Sequence, residues 1–229
     1  SPTLHYPIDA LIYLPPCYDS SFDYYPVLYL IHGLNYREDQ WQRIGAPAAA
    51  DALIAAEEIA PLIIVMPRDR LDDRLDPALV DDLVPYIDDN YRTKAQREYR
   101  AIGGLSRGGA WAIHLGLHYP EVFSRIGAHS PAIFYGDDEN VLYWARRLPP
   151  DMIPAVYIDI GQGDSLFGSA AWFDQVLTWF GVEHTYLVQS GAHTEKYWAA
   201  HVAEYLRFYA AGWRFEPLAT PIPDMDSPQ

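Results

Sequence analysis

Short, nearly uninterrupted apolar runs recur along the chain, bounded by proline, glycine or charged turns. Between them stand longer segments whose apolar residues repeat at helical spacing. The runs Ile8 to Leu14, Tyr25 to Ile31, Pro61 to Pro67, Glu98 to Gly103, Phe123 to His129, Ala155 to Ile160 and Thr185 to Val188 read as strands. Helices are predicted over Pro47 to Glu57, Pro77 to Tyr91, Ala110 to about Tyr119, Ala170 to Phe180 and Glu195 to Tyr209. The first two strands are expected to form a hairpin. The later strands, apolar on both faces and alternating with helices, predict an α/β domain with a mostly parallel sheet covered on both sides. Such a sheet presents ligands to the C-terminal ends of its strands. The segment Pro131 to Pro150 is predicted as an excursion off the sheet, and the proline-containing tail 214–229 as a loose end after a catalytic domain spanning 1–213.

Composition narrows the choice of partners. Half of the 229 residues are apolar, enough for a sizeable core. Sixteen basic against thirty-one acidic residues leave a net charge of −15, which argues against nucleic acid and anionic membrane surfaces and favours neutral or weakly charged ligands. The single cysteine, Cys17, has no internal disulfide partner, and no Cys/His cluster is read as having metal-ligand spacing, so neither metal nor cofactor is expected. No apolar run is long enough to span a bilayer. The opening Ser1-Pro2-Thr3-Leu4-His5 resembles neither a start methionine nor a signal peptide, which implies processing or truncation; a soluble chain is expected, with compartment and oligomeric state left open.

The chemistry is concentrated in Gly104-Leu105-Ser106-Arg107-Gly108, a Gly-x-Ser-x-Gly motif between an apolar strand and a helix. This spacing predicts a nucleophile elbow, whose serine occupies strained backbone at a helix N-terminus beside free amides. An ordinary glycine-rich turn with a surface serine is the alternative, so the rest of the chain has to supply a base and an acid. Of the histidines downstream, His193 lies directly past the last strand, whereas His184 begins that strand and His201 is inside the final helix. Asp164, on the loop leaving Ala155 to Ile160, is the predicted acid, with Asp159 inside the strand as its competitor. The backbone amides of Leu34 and Arg107 are the predicted oxyanion donors.

Taken together these pieces resemble the esterase D/feruloyl esterase-like family of α/β-hydrolases, which also includes enterochelin esterases and antigen 85-type mycolyltransferases. The resemblance runs from Tyr13-Leu14-Pro15-Pro16 through Leu30-Ile31-His32-Gly33, Leu83-Val84-Pro85-Tyr86-Ile87 and Gly103-Gly104-Leu105-Ser106 to Gly163-Asp164 and Gly191-Ala192-His193 with Trp198. It implies the α/β-hydrolase fold with little or no lid, a Ser106–His193–Asp164 triad and hydrolysis of a small-molecule or carbohydrate-linked ester through an acyl-enzyme. An acyltransferase of the same fold and a catalytically silent binding scaffold are the alternatives. The chain departs from the family pattern in carrying Arg107 after the serine, where methionine is common, and Thr194 after His193, where aspartate often stands. It also lacks an additional N-terminal strand that the family usually has before the first one seen here. Substrate contacts are expected from His32, Asn35 and Trp198, and from Phe134 and Tyr135 on the excursion. Arg107 is expected to pair with one of the nearby carboxylates at Asp69, Asp72, Asp73 or Asp137 to Glu139.

Overall fold

The computed structural model describes residues 1–16, 18–70 and 75–214; Cys17, the charged positions 71–74 and the tail from 215 onward, including the expectations placed on Asp72 and Asp73, lie outside them. Among the described residues the sheet has seven strands in the order β1 (Ala10–Tyr13), β3 (Ile63–Pro67), β2 (Val27–Ile31), β4 (Arg100–Leu105), β5 (Arg125–His129), β6 (Ala155–Gly161) and β7 (His184–Gln189). All neighbours are parallel except β1, which runs antiparallel to β3.

That pairing corrects the expected hairpin. Both edges of β2 are taken, by β3 on one side and β4 on the other. The half-buried β1 is left as an edge strand, pairing Ile12 with Val65 and Leu11 with Met66. The connection through Pro15-Pro16 and a polar turn is longer than tight hairpin loops, and it carries the chain across to the sheet centre.

Side-chain alternation along the central strands fills two core layers. In β2, Val27, Tyr29 and Ile31 face one layer with Ile63 and Val65 of β3, while Leu28 and Leu30 face the other with Ile64 and Met66. The first layer is completed by Ala112 and Ile113 of α5 (Arg107–His118), Val141 of α6 (Asp138–Arg147) and Phe173 of α7 (Phe167–Phe180). The second is closed by Trp41 of α1 (Gln40–Arg43), Leu53 of α2 (Ala46–Ala55) and Val202, Tyr205 and Tyr209 of α8 (Glu195–Ala210).

The helix predicted from Pro77 begins earlier and is not uniform. It opens with α3 (Leu75–Pro77), passes through a π-helical stretch, Ala78–Leu83, and resumes as α4 (Val84–Asn90). Pro85 lacks an N–H and would crowd the carbonyl of Asp81 in a regular α-helix; the wider π stretch before it absorbs this mismatch. Among the described residues no helix is long and apolar enough to cross a membrane.

Candidate active site

The C-terminal ends of β2, β4, β6 and β7 deliver the segments that carry His32-Gly33, Ser106, Asp164 and His193. Ser106 sits between β4 and α5 with φ 56° and ψ −116°, a strained conformation for a residue with a side chain. The flanking glycines are required sterically. A Cβ on Gly104 would lie 2.1 Å from the carbonyl oxygen of Gly108, and one on Gly108 would lie 2.1 Å from that of Ile31. The bend is held by backbone bonds from the Ser106 amide to His129 (2.9 Å) and from the Ala132 amide to Ser106 (3.0 Å).

The Ser106 hydroxyl stands 2.9 Å from Nε2 of His193. On the far side of the ring, Nδ1 lies 2.9 and 3.0 Å from the two carboxylate oxygens of Asp164. Backbone bonds join the two supporting loops, from Gly163 to Gly191 and from Gln162 to Gln189, both 2.8 Å. Because an ionised carboxylate only accepts, Nδ1 of His193 carries the proton and Nε2 is free to receive one from the serine. The Asp164 side chain is fully buried, and burial pushes its carboxyl upward; hydrogen bonds from His193, the Leu166 amide and the Ser130 hydroxyl outweigh this and hold it below the usual carboxylate range. It is therefore an anion at neutral pH.

Asp159 occupies a different place. Completely buried, it meets Nδ1 of His129 at 2.6 Å and accepts from the hydroxyls of Tyr197 (2.8 Å) and Tyr205 (2.7 Å), while Tyr209 bonds Nε2 of the same histidine at 2.8 Å. These contacts tie α8 to β5 and β6 beneath the site.

Of the residues expected at the substrate, His32 lines the cleft beside the site although it is only 2% exposed, and Trp198, 3% exposed, packs behind His193. The Asp69 amide donates to Nε2 of His32 at 2.9 Å, so Nδ1 carries the proton and donates to the Gly33 carbonyl at 2.8 Å. Burial lowers the pKa of this histidine, in keeping with a neutral ring that braces the loop after β2. Trp198 sets its ring edge-on against His193, with centroids 4.9 Å apart, and its indole N–H bonds Ser130 at 3.1 Å. Gln40 and Ser130, which the sequence reading passed over, complete the support. Buried Gln40 accepts the Gly33 amide at 2.8 Å and donates to Glu195 at 3.1 Å. A side chain at Gly33 would stand 3.6 Å from the Ser106 Cβ, so this loop abuts the serine. Among the described residues, the amides of Leu34 and Arg107 have no acceptor in the protein.

Arg107 finds the intramolecular partner expected of it. Its Nε donates to Asp69 at 2.5 Å, the Trp111 indole donates to the same carboxylate at 2.9 Å, and Phe134 lies beneath the guanidinium at 5.2 Å. Arg107 and Asp69 line a cleft of about 350 Å³ with His32 and the exposed Leu34, Asn35, Tyr36 and Arg37. Tyr135 is fully exposed. Since Asp69 is buried and shared with Trp111, Arg107→Met should lower stability by about 3–5 kcal/mol, by leaving a buried carboxylate without its cation. Turnover of neutral esters by the folded fraction should stay within about tenfold. Thermal unfolding followed beside the kinetics of a neutral and an anionic ester checks both, and a larger loss confined to the anionic ester would show that Arg107 binds substrate.

The sequence profile of the esterase family described as "Putative esterase" matches residues 1–209. An endo-1,4-beta-xylanase/feruloyl esterase of Xylanibacter ruminicola is 34% identical over 172 residues, covering 68% of this chain and 22% of that protein. Esterase Rv1288 of Mycobacterium tuberculosis is 30% identical over 175 residues, covering 70% and 36%. The chain thus spans only about a fifth to a third of the length of these relatives. A solved ferulic acid esterase superposes with a TM-score of 0.82 at 25% identity, over 92% of this chain and 95% of that one. This chain belongs to the esterase family and has the α/β-hydrolase fold.

Proposed function

We propose that the chain is a serine carboxylic-ester hydrolase working through an acyl-enzyme, with Ser106 as nucleophile, His193 as general base and acid, and Asp164 as the group that orients the histidine. The observation that carries this reading is the continuous relay from the Asp164 carboxylate through Nδ1 and Nε2 of His193 to the Ser106 hydroxyl. In the forward step the serine oxygen adds to the ester carbonyl while its proton passes to Nε2. The tetrahedral oxyanion is received by the amides of Leu34 and Arg107, at the N-terminus of α5 where the helix dipole adds positive potential. Collapse expels the alcohol, which takes the proton back from Nε2. Water then repeats the sequence and releases the acid.

For substrate, feruloyl-type and other short or aromatic acyl esters, carbohydrate-linked ones included, fit best. The excursion Pro131 to Pro150 contributes the single helix α6, so the overhang is small. The exposed Tyr36 and the ring of His32 give the cleft its aromatic lining, while Phe134 and Trp111 pack edge-on at 4.7 Å beside Arg107. Relatives named as feruloyl esterases support the same choice. Methyl ferulate and p-nitrophenyl acetate and butyrate should therefore be hydrolysed with higher kcat/KM than p-nitrophenyl palmitate. The four-substrate panel tests this directly, and palmitate as the best substrate would replace the open aromatic cleft with a lipid channel. Product analysis with a sugar acceptor separates hydrolysis from transfer.

A further inference from the structure

Two turns along α5 from the nucleophile, His114 and His118 project from one face of the helix, and Asp76 of α3 approaches both. Nε2 of His114 is 3.2 Å and Nδ1 of His118 is 3.6 Å from the same Asp76 oxygen, and one potential ligand atom from each of the three residues lies within 4.8 Å of the others. The expectation that no histidine cluster has metal-ligand spacing overlooked this pair, one helical turn apart. On the other side of the His114 ring, Nδ1 bonds Asp137 at 2.8 Å, and Asp137 is itself bonded by Asn140 at 3.0 Å. A carboxylate on the outer nitrogen fixes the tautomer that leaves Nε2 as a lone-pair donor, the usual outer support of a metal-bound histidine. Trp144 of α6 holds both rings, stacked on His118 at 4.6 Å and edge-on to His114 at 4.7 Å. The second Asp76 oxygen is buried and makes no close hydrogen bond, with the Tyr119 hydroxyl also acting on this carboxylate.

We propose that Asp76, His114 and His118 form a binding site for one divalent cation of the zinc class, with Asp137 as the outer support of His114. Two imidazole nitrogens and one carboxylate favour zinc or cobalt over magnesium or calcium, which take oxygen ligands. His118 is 37% exposed in its side chain, which leaves an open side for entry and for a coordinated water. Eight residues of helix separate His114 from Ser106, about 12 Å of rise, so the cation stands outside the reacting atoms. Its effect is mechanical: it fastens the start of α3 and, through Asp137, the overhanging segment to α5, and so steadies the Trp111–Phe134–Arg107 wall.

The competing arrangement is an ion cluster that needs no metal. Burial lowers the His114 pKa, but hydrogen bonds with Asp137 and Asp76 outweigh it and push it up to about 9, so a protonated ring could bridge the carboxylates alone.

Calorimetric titration of the full chain after chelator treatment, beside thermal unfolding, separates the two. Zinc chloride should bind at one saturable site and raise the midpoint by about 5–10 °C at a hundredfold excess over Kd, whereas magnesium chloride should not. His118→Ala, at a half-exposed position, should weaken zinc binding more than tenfold and remove the shift, and Asp137→Asn should weaken it about 10–100-fold. Cobalt(II) should give the visible absorption of a nitrogen-ligated tetrahedral or five-coordinate ion in the unaltered chain, a readout independent of how the variants fold. No saturable zinc binding and no cobalt spectrum, or zinc binding undiminished in a folded His118→Ala, would overturn the site and leave the ion cluster.

Discussion

Ser106→Ala should abolish ester turnover while leaving the fold in place. The elbow is held by main-chain bonds, from Ser106 to His129, from Ala110 to Ser106 and from Ala132 to Ser106, none of which uses the hydroxyl. The clash-sensitive neighbours Gly104 and Gly108 are untouched, so the thermal midpoint should correspond to a change within about 1 kcal/mol. The chemical loss is of another order. Without the oxygen there is no acyl-enzyme, and removing a triad nucleophile lowers kcat on the order of 10⁶. Some acceleration over water can survive, because the proposed oxyanion donors, the amides of Leu34 and Arg107, are untouched by the substitution. Fluorophosphonate labelling of both proteins beside p-nitrophenyl acetate kinetics gives the answer. A folded, unaltered chain that takes no label would defeat the hydrolase reading, and label persisting in Ser106→Ala would move the nucleophile elsewhere.

What the sequence made legible, and what it did not, follows from how local each signal is. The runs Val27–Ile31 and Ile63–Pro67 are apolar at every position, and both prove to be strands buried on two faces. The elbow was legible because its glycines answer steric demands within a few residues of Ser106. His193 could be picked out because strand order places the segment after β7 at the same edge as Ser106. The pairing of β1 was not legible, since its choice between β2 and β3 is decided by the strand that takes the other edge of β2. Gln40 reaches Glu195 across 155 positions, and Trp198 reaches Ser130 across 68; no spacing rule signals such partners. His32 was legible as a residue lining the cleft, but its bonds with the Asp69 amide and the Gly33 carbonyl, which brace the loop, rest on partners that no spacing rule signals. The pair His114 and His118 was visible at helical spacing, but Asp76 came to it only through the packing of α3 on α5.

The sharpest separation between chemistry and architecture should come from the two aspartates at the C-terminal end of β6. Asp164→Asn replaces an acceptor-only group with an amide that can donate toward Nδ1 of His193. The ring is then free to carry its proton on Nε2, where it faces the Ser106 hydroxyl and can no longer act as base. For an orienting aspartate this exchange lowers kcat on the order of 10⁴ with the site geometry kept. Asp159→Asn should behave in the opposite way. Its carboxylate accepts from two tyrosine hydroxyls and bonds His129, all in the core, so an amide there leaves at least one buried partner facing the wrong group. The expected result is a loss of about 3–5 kcal/mol in stability, with kcat of the remaining folded protein within about tenfold. Measuring unfolding and steady-state kinetics on both variants at the same pH distinguishes the roles. If Asp159→Asn lost more kcat than Asp164→Asn at equal folded fraction, the buried cluster under α8, and not the carboxylate touching His193, would be setting the tautomer of the base.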